Sequence, residues 1–394
     1  MGRIKIILKS GKDEAVLRQH PWVFSGAIKK INGDPQEGEI VDVYNNKDRF
    51  LGCGHWQNGS IAVRIFSFEQ IEPDYNFWKQ RLEAAYKIRN AIGLTNSETT
   101  NVYRLVFAEG DSLPGLVIDY YNGAAVIQAH SFGMYLLRND FTKALKEIYG
   151  NNLHTVYSKS KESLPKNNEY NIENEFLLGN KESEIVLENG NKFKVNWVNG
   201  QKTGFFIDQR FNRELVGKYS KNRKVLNTYC YTGGFSIYAI KEGAELVHSV
   251  DSSAKAIDLT NNNILINGFE NKNHQSFAID TMSFLQEMEE TYDLIILDPP
   301  AFAKHRDVRH KAIKGYKRLN ATALNKIAPG GILFTFSCSQ VVDRQIFEST
   351  VLSAAIQSGR KVKILHHLSQ PADHPASIYH KEGEYLKGLV LYVE

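Results

Sequence analysis

Cys338 stands in the run Phe336-Ser337-Cys338-Ser339, directly after an apolar segment, Gly331 to Ser337, that reads as a strand. A thiol at a strand's carboxyl end can serve as a nucleophile once ionised, whereas the same thiol turned inward is only a small apolar residue. Its flanking serines favour a polar, accessible setting. A second run, Leu297-Asp298-Pro299-Pro300-Ala301-Phe302, closes the apolar segment Tyr292 to Asp298. Two prolines stiffen that exit and remove backbone donors, so the Asp298 carboxylate and the Phe302 ring can be held against a flat ring substrate. If both segments are strands of one parallel sheet, Asp298 and Cys338 share its carboxyl rim, where such sheets bind ligands.

Three further strand ends carry groups suited to a ligand. Tyr231-Thr232-Gly233-Gly234 follows the strand Lys224 to Thr228, and its glycines let backbone approach a ligand before a helix near Phe235. It is neither Gly-x-Gly-x-x-Gly nor followed by a Walker lysine, which weakens dinucleotide and ATP readings. Asp251 ends the next strand and can accept from two ribose hydroxyls; Asp280 ends the one after and can accept from an adenine amine. Either acid could instead cap a helix, Asp280 that of Thr281 to Met288. Beyond Asp298, the residues Lys304, Arg306, Arg309, Lys311, Lys314, Lys317 and Arg318 face one acid, Asp307. Such a segment beside the rim suits phosphate contacts, the alternative being a solvated helix face.

The elements that must position these groups alternate. From residue 184 a hairpin around Asn189-Gly190 leads into strands at Lys224 to Thr228, Leu246 to Asp251, His274 to Asp280, Tyr292 to Asp298, Gly331 to Ser337, Val362 to His367 and Leu389 to Val393, most separated by helical segments. That spacing predicts a doubly wound α/β domain over 184–394. Residues 1–72 alternate apolar and polar positions between turns and predict a small all-β module. Residues 73–183 predict an α+β unit, with a helix from Phe77 to Ile92, a hairpin at Asn122-Gly123, a helix near 133–148 and a polar surface loop from Lys159 to Asn174.

A chain of 394 residues suits two or three domains. Three scattered cysteines, Cys53, Cys230 and Cys338, exclude a disulfide framework and a local cysteine zinc site. His366, His367 and His374 lack metal-ligand spacing, so no metal is expected. No apolar run is long enough for a membrane span and no signal-peptide core opens the chain, so a cytoplasmic protein is expected. The net charge of +4 permits a nucleic-acid partner without requiring one.

Nearly end to end, the chain resembles the RlmI-like family of large-subunit ribosomal RNA cytosine-C5 methyltransferases. The resemblance is carried by His20-Pro21-Trp22-Val23-Phe24, Glu109 to Leu116, Thr203-Gly204-Phe205-Phe206-Ile207-Asp208-Gln209-Arg210, Tyr231 to Phe235, Asp298 to Phe302, Phe336 to Ser339, Ala372-Asp373-His374-Pro375 and Tyr385-Leu386-Lys387-Gly388, in the family's order. It implies an N-terminal PUA domain, a middle domain of two strands, a helix and two strands, and a C-terminal Rossmann-like class I methyltransferase domain. It implies S-adenosyl-L-methionine as cofactor, with Asp208, Gln209 and Arg210 over it beside Tyr231, Thr232, Gly233, Asp251, Asp280 and Asp298. Ribosomal RNA is the implied partner, with Pro299, Phe302, Lys304, Arg306 and Arg309 on its side; a homodimer stays open. The implied product is 5-methylcytosine, with Cys338 adding to the ring and Asp298 holding its edge. Two departures matter. Ala301 occupies the place where many RNA cytosine-C5 enzymes carry a second cysteine, and Asn227 replaces a common acid at the end of the first strand. The rival readings are an N-methyltransferase, since Asp-Pro-Pro-x-Phe also suits an exocyclic amine, and an RNA-binding module with a vestigial cofactor site.

Overall fold

The computed structural model describes residues 2–165, 170–303 and 306–394, the side chain of Arg306 excepted. Contacts divide the chain into two units. One comprises Met1–Val186, Val195–Phe205 and Ala372–Gly383; the other comprises Leu187–Lys194, Phe206–Pro371 and Glu384–Glu394. Among the described residues no helix is long and apolar enough to cross a membrane.

The first unit holds two sheets. Six strands lie in the order Trp22–Phe24, Ile61–Ser67, Phe50–Trp56, Ile40–Tyr44, Lys5–Leu8 and Ile28–Asn32. Alternation along Lys5–Leu8 turns Ile6 and Leu8 into a core shared with Val41, Val43 and Val63. The second sheet runs Glu175–Leu178, Thr155–Ser158, Ala124–Ala129, Leu116–Tyr121, Val102–Phe107. Asn122 and Gly123 take positive φ at its hairpin (44° and 92°), as the Asn-Gly pair predicts. Three strands precede the helices Phe132–Leu136 and Arg138–Tyr149 and two follow, one strand more than the family pattern implies. Val102–Phe107 forms the sheet edge, antiparallel to Leu116–Tyr121. Lys159, read as the start of a polar surface loop, is buried instead, its ammonium donating to the carbonyls of Trp197 and Gly200 at 2.6 Å each.

Two sequence motifs lock together in this unit. The Asp111 carboxylate accepts a fork of hydrogen bonds from Arg89, both side chains being fully buried, and Arg89 Nη2 also donates to the Asp373 carbonyl at 2.7 Å. A Cβ on Gly110 would lie 1.8 Å from the Pro375 carbonyl oxygen, so only glycine fits that approach. The runs Glu109 to Leu116 and Ala372 to Pro375 are therefore structural partners here.

The second unit is built on β1 (Lys224–Thr228), β2 (Leu246–Asp251), β3 (His274–Ala278), β4 (Tyr292–Leu297), β5 (Ile327–Ser337), β6 (Val362–Leu368) and β7 (Lys387–Val393), in the sheet order β3-β2-β1-β4-β5-β7-β6. The first five are parallel, and β7 runs antiparallel to both neighbours. Parallel strands covered on both faces need apolar side chains on each, which is why Leu294–Leu297 and Ile332–Phe334 are continuous buried runs. Strand order reverses at β1, between β2 and β4, and the crevice beyond its carboxyl end is the switch point. The helices are α1 (Arg210–Ser220), α2 (Gly234–Lys241), α3 (Ala254–Ile266), α4 (Thr281–Glu287), α5 (Arg309–Lys326) and α6 (Arg344–Ser358). The seven strands are the seven read from the sequence with shifted ends: β3 stops at Ala278, two residues short of Asp280, β5 starts at Ile327, four residues early, and β7 starts two residues early. Lys387 thus lies inside it, opposite Ser337 of β5.

Candidate active site

A buried ion pair sets the edge of the crevice. Arg213 of α1 donates through Nε and Nη2 to the two oxygens of Glu188 at 2.7 Å each, and the Tyr238 hydroxyl reaches the same carboxylate at 3.0 Å. Arg213 Nη1 donates to the Phe206 carbonyl at 3.0 Å. These bonds hold the short turn Ile207–Gln209, which carries Asp208 and Gln209. Gln209 Nε2 donates to Asp298 Oδ2 at 2.9 Å. Asp208 Oδ2 accepts from the Tyr385 hydroxyl, while Asp208 Oδ1 is buried with no hydrogen-bond partner among the described residues. A buried acceptor left unpaired is costly, and a ligand's donor would satisfy it.

The loop after β1 is tightly wound. Tyr229, Tyr231 and Gly233 all take positive φ (54°, 47° and 73°). A Cβ on Gly233 would meet Thr260 Cγ2 at 2.7 Å, so glycine alone fits between the loop and α3. Thr232 is buried, and the Tyr231 ring stands edge-on to Phe206 at 5.3 Å. Asp251 at the end of β2 accepts from the backbone N–H groups of Tyr231 (3.1 Å) and Ser253 (2.9 Å). Each of its oxygens retains a lone pair for hydroxyl donors. Asp280 is exposed and caps α4 by accepting from the Ser283 N–H at 3.0 Å, the helix-capping alternative noted above.

At the exit of β4, Pro299 is buried and Phe302 packs on Tyr316 of α5, ring centroids 4.6 Å apart. Asp298 keeps a partly open face while protein atoms enclose the rest. Burial, reinforced by the negative charge of Asp208, pushes its carboxyl up to about 7 against the opposing Gln209 hydrogen bond. Leu297 pairs with Thr335 in the parallel β4–β5 register, so Asp298 and Cys338 leave adjacent strands on one rim. Burial, then Asp298 and Asp208, push the Cys338 thiol up to about 11. Its serine neighbours correct one expectation. Both are fully buried, Ser339 Oγ donating to the Ala303 carbonyl at 2.6 Å, and only Cys338 between them is partly open. They anchor the rim and do not signal exposure. Cys53 and Cys230 are buried.

Lys304 and the side chain of Arg306 lie outside the described residues. Arg309, Lys311, Lys314 and Arg318 are exposed along α5. Sequence spacing alone singles out neither Tyr385 nor Lys387, yet β7 brings both toward the rim. Their separation by two residues at the mouth of an apolar strand is the signal that could have found them.

In the first unit His20, His380 and Glu382 bring ligand atoms within 4.8 Å of one another. His20 Nδ1 accepts from the Trp22 N–H at 3.2 Å, so the neutral ring carries its proton on Nε2, which faces Glu382 at 3.4 Å. That proton makes Nε2 a hydrogen-bond donor where a metal would need a lone pair.

Two family models match the chain, a PUA-like domain over residues 6–68 and an S-adenosylmethionine-dependent methyltransferase over residues 164–383. The protein of Aeromonas hydrophila subsp. hydrophila named ribosomal RNA large subunit methyltransferase I is 38% identical over 394 residues, covering 98% of each chain. The chain belongs to the ribosomal RNA large subunit methyltransferase I family. A second member, from Shewanella amazonensis, is 39% identical with 99% of each chain covered. Among solved structures, a Streptococcus mutans protein described as a SAM-dependent methyltransferase superposes with a TM-score of 0.85 at 23% identity, over 99% of this chain and 100% of that one. Another, solved as a complex with SAH, gives 0.86 at 24% identity over the same shares. These two establish the fold. As a member of the ribosomal RNA large subunit methyltransferase I family, the chain is an S-adenosylmethionine-dependent methyltransferase with an N-terminal PUA-like domain.

Proposed function

We propose that the chain methylates C5 of a cytosine in large-subunit ribosomal RNA through a covalent adduct at Cys338. The observation that carries the reading is the pairing on one rim of a partly open thiol with a carboxyl whose proton is retained near neutrality. The relatives' name and the PUA-like domain support an RNA substrate. The exposed basic face of α5 supports phosphate contacts, with Lys304 and Arg306 beside it in the chain.

S-adenosylmethionine fits the crevice. Asp208 Oδ1 offers an unpaired acceptor and Asp251 spare lone pairs for ribose hydroxyls. The Tyr231–Gly233 loop admits close backbone approach, and Asp280, which caps α4 through Oδ1, keeps Oδ2 for an adenine amine. When bound, the cofactor supplies an electrophilic methyl group. Asp298, protonated, donates to cytosine N3 and Gln209 orients it. Pro299 and Phe302 shape the turn against the base. Cys338 thiolate adds to C6: the S–C6 bond forms and electron density moves to C5, which becomes the nucleophile for the methyl group. Loss of the C5 proton then restores the double bond and expels the thiolate. With Ala301 in the place of a second cysteine, the proton acceptor is water or another side chain.

Mass spectrometry of ribosomal RNA from cells lacking the protein, complemented with wild type or Cys338→Ala, tests the reading. The expected result is loss of one 5-methylcytosine in both the null and the variant, with S-adenosylmethionine binding intact in the variant. Loss of an N-methylated base that Cys338→Ala restores would overturn it in favour of exocyclic-amine methylation.

A further inference from the structure

The proposed mechanism needs a thiolate, yet the surroundings of Cys338 oppose one. Burial and the negative charges of Asp298 and Asp208 all favour the thiol, and Tyr316 contributes no positive charge. The thiol lies near 11 even with Lys387 opposing the rise, so roughly one molecule in ten thousand is ionised at pH 7 and about one in a thousand at pH 8.

Lys387 is placed to keep that value from rising further. It is the first residue of β7, its Cα opposite Ser337, and its ammonium donates to the Ser339 carbonyl at 2.7 Å. Cys338 lies between those two contact points in the chain. Lys387 is only 6% exposed, and no carboxylate lies within ion-pair distance of it among the described residues. A buried ammonium without a carboxylate partner is costly and gains from any anion that forms beside it. We infer that Lys387 is the positioning cation of Cys338, setting how much of the thiol is present as thiolate.

The charged groups on both sides agree in sign. Lys387 is the cation acting on Cys338, against Asp298 and Asp208. Burial pulls Lys387 down to about 8; Cys338 and Asp343 oppose the fall, and Arg344 adds to it. With a value of about 8, Lys387 is mostly the ammonium at neutral pH, the charged form that favours a thiolate. The S–H proton passes to solvent, and the thiolate left behind is stabilised by the ammonium's positive charge. A purely structural role, tying down the Ser339 carbonyl, would need only a hydrogen-bond donor.

The inference rests on Cys338 as nucleophile for its meaning in methylation, but its test does not use methylation. Alkylation of the full chain by iodoacetamide is followed against pH at the Cys338 peptide by mass spectrometry, for wild type, Lys387→Gln and Lys387→Arg. Glutamine keeps a donor without charge; arginine keeps the charge. In Lys387→Gln the apparent pKa of Cys338 should rise by about one unit and alkylation below it should slow about tenfold, while Lys387→Arg stays near wild type. A Lys387→Gln profile matching wild type would overturn the inference, as would equal impairment in both variants. Should methylation survive Cys338→Ala, the cytosine reading fails and the alkylation result still stands.

Discussion

Gln209 donates through Nε2 to Asp298 at 2.9 Å and accepts through Oε1 from Asn212 Nδ2 at 2.6 Å, so one amide joins the start of α1 to the exit of β4. The primary amide must point its nitrogen at Asp298 because Asn212 supplies a donor on the other side. Gln209→Leu breaks both bonds. A hydrogen bond to an ionisable partner contributes about 1.5–3 kcal/mol, so turnover should fall about tenfold or more. The bond also holds the Asp298 carboxyl down, so any alkaline limb due to Asp298 should move to higher pH, read from single-turnover rates.

Asp298 itself predicts a pH signature. Below about 7 its carboxyl is protonated and can donate; above, it is an anion that cannot donate to N3 and opposes ionisation of Cys338. The sign for folding follows the same shift: the folded state holds a proton that the unfolded chain releases at lower pH, so Asp298 lowers stability as pH rises through that window. Because thiolate grows as the donating carboxyl is lost, the wild-type rate should level off above about 7, whereas the Asp298→Asn rate should keep rising with pH. Rates across roughly pH 6 to 9 check it, and a profile that still levels off in Asp298→Asn would assign the levelling elsewhere.

The buried pair Arg213–Glu188 predicts a large stability effect. Glu188→Leu leaves the Arg213 guanidinium, wholly enclosed, without its carboxylate. Such losses cost about 3–5 kcal/mol. Urea denaturation should show a much lower midpoint than for Lys218→Ala, whose partner Glu214 is solvent-exposed and whose pair contributes at most about 1 kcal/mol.

Gly233→Ala should separate loop geometry from chemistry. The added Cβ meets Thr260 Cγ2 at 2.7 Å on a backbone with φ of 73°, a strain of about 1–3 kcal/mol. Calorimetry should show cofactor affinity reduced about tenfold. Thr260→Ser, which removes the clashing methyl, should recover part of it in the double variant.

For α5, Arg309→Ala combined with Lys314→Ala should weaken RNA binding across sequences and flatten the plot of log affinity against log salt by about 1.5. An unchanged slope would mean that this face is merely solvated.

Much of this fold is legible locally. The Asn122-Gly123 and Asn189-Gly190 pairs mark hairpins because their backbones accept positive φ. The apolar runs of β1 to β5 mark strands because a parallel sheet covered on both faces tolerates little else. The ends of those runs also located the rim, since Asp251, Asp298 and Cys338 each follow a strand. Local reading fails where a residue's meaning depends on a distant partner. Ser337 and Ser339 look like polar exposure and are buried anchors, and Lys159 looks like loop surface and is buried among carbonyls.

By itself, the sequence determined the succession of strands and helices and the chemical groups that end each strand, because periodicity and turn preference act over a few neighbouring residues. Only the tertiary structure decided which of those groups share one field. Asp208 meets Tyr385, Gln209 meets Asp298, and Lys387 bonds the Ser339 carbonyl next to Cys338 across separations of tens to hundreds of residues. Protonation follows burial and distance in space, so Asp298 near 7 and Cys338 near 11 are properties of the folded rim and of no segment taken alone.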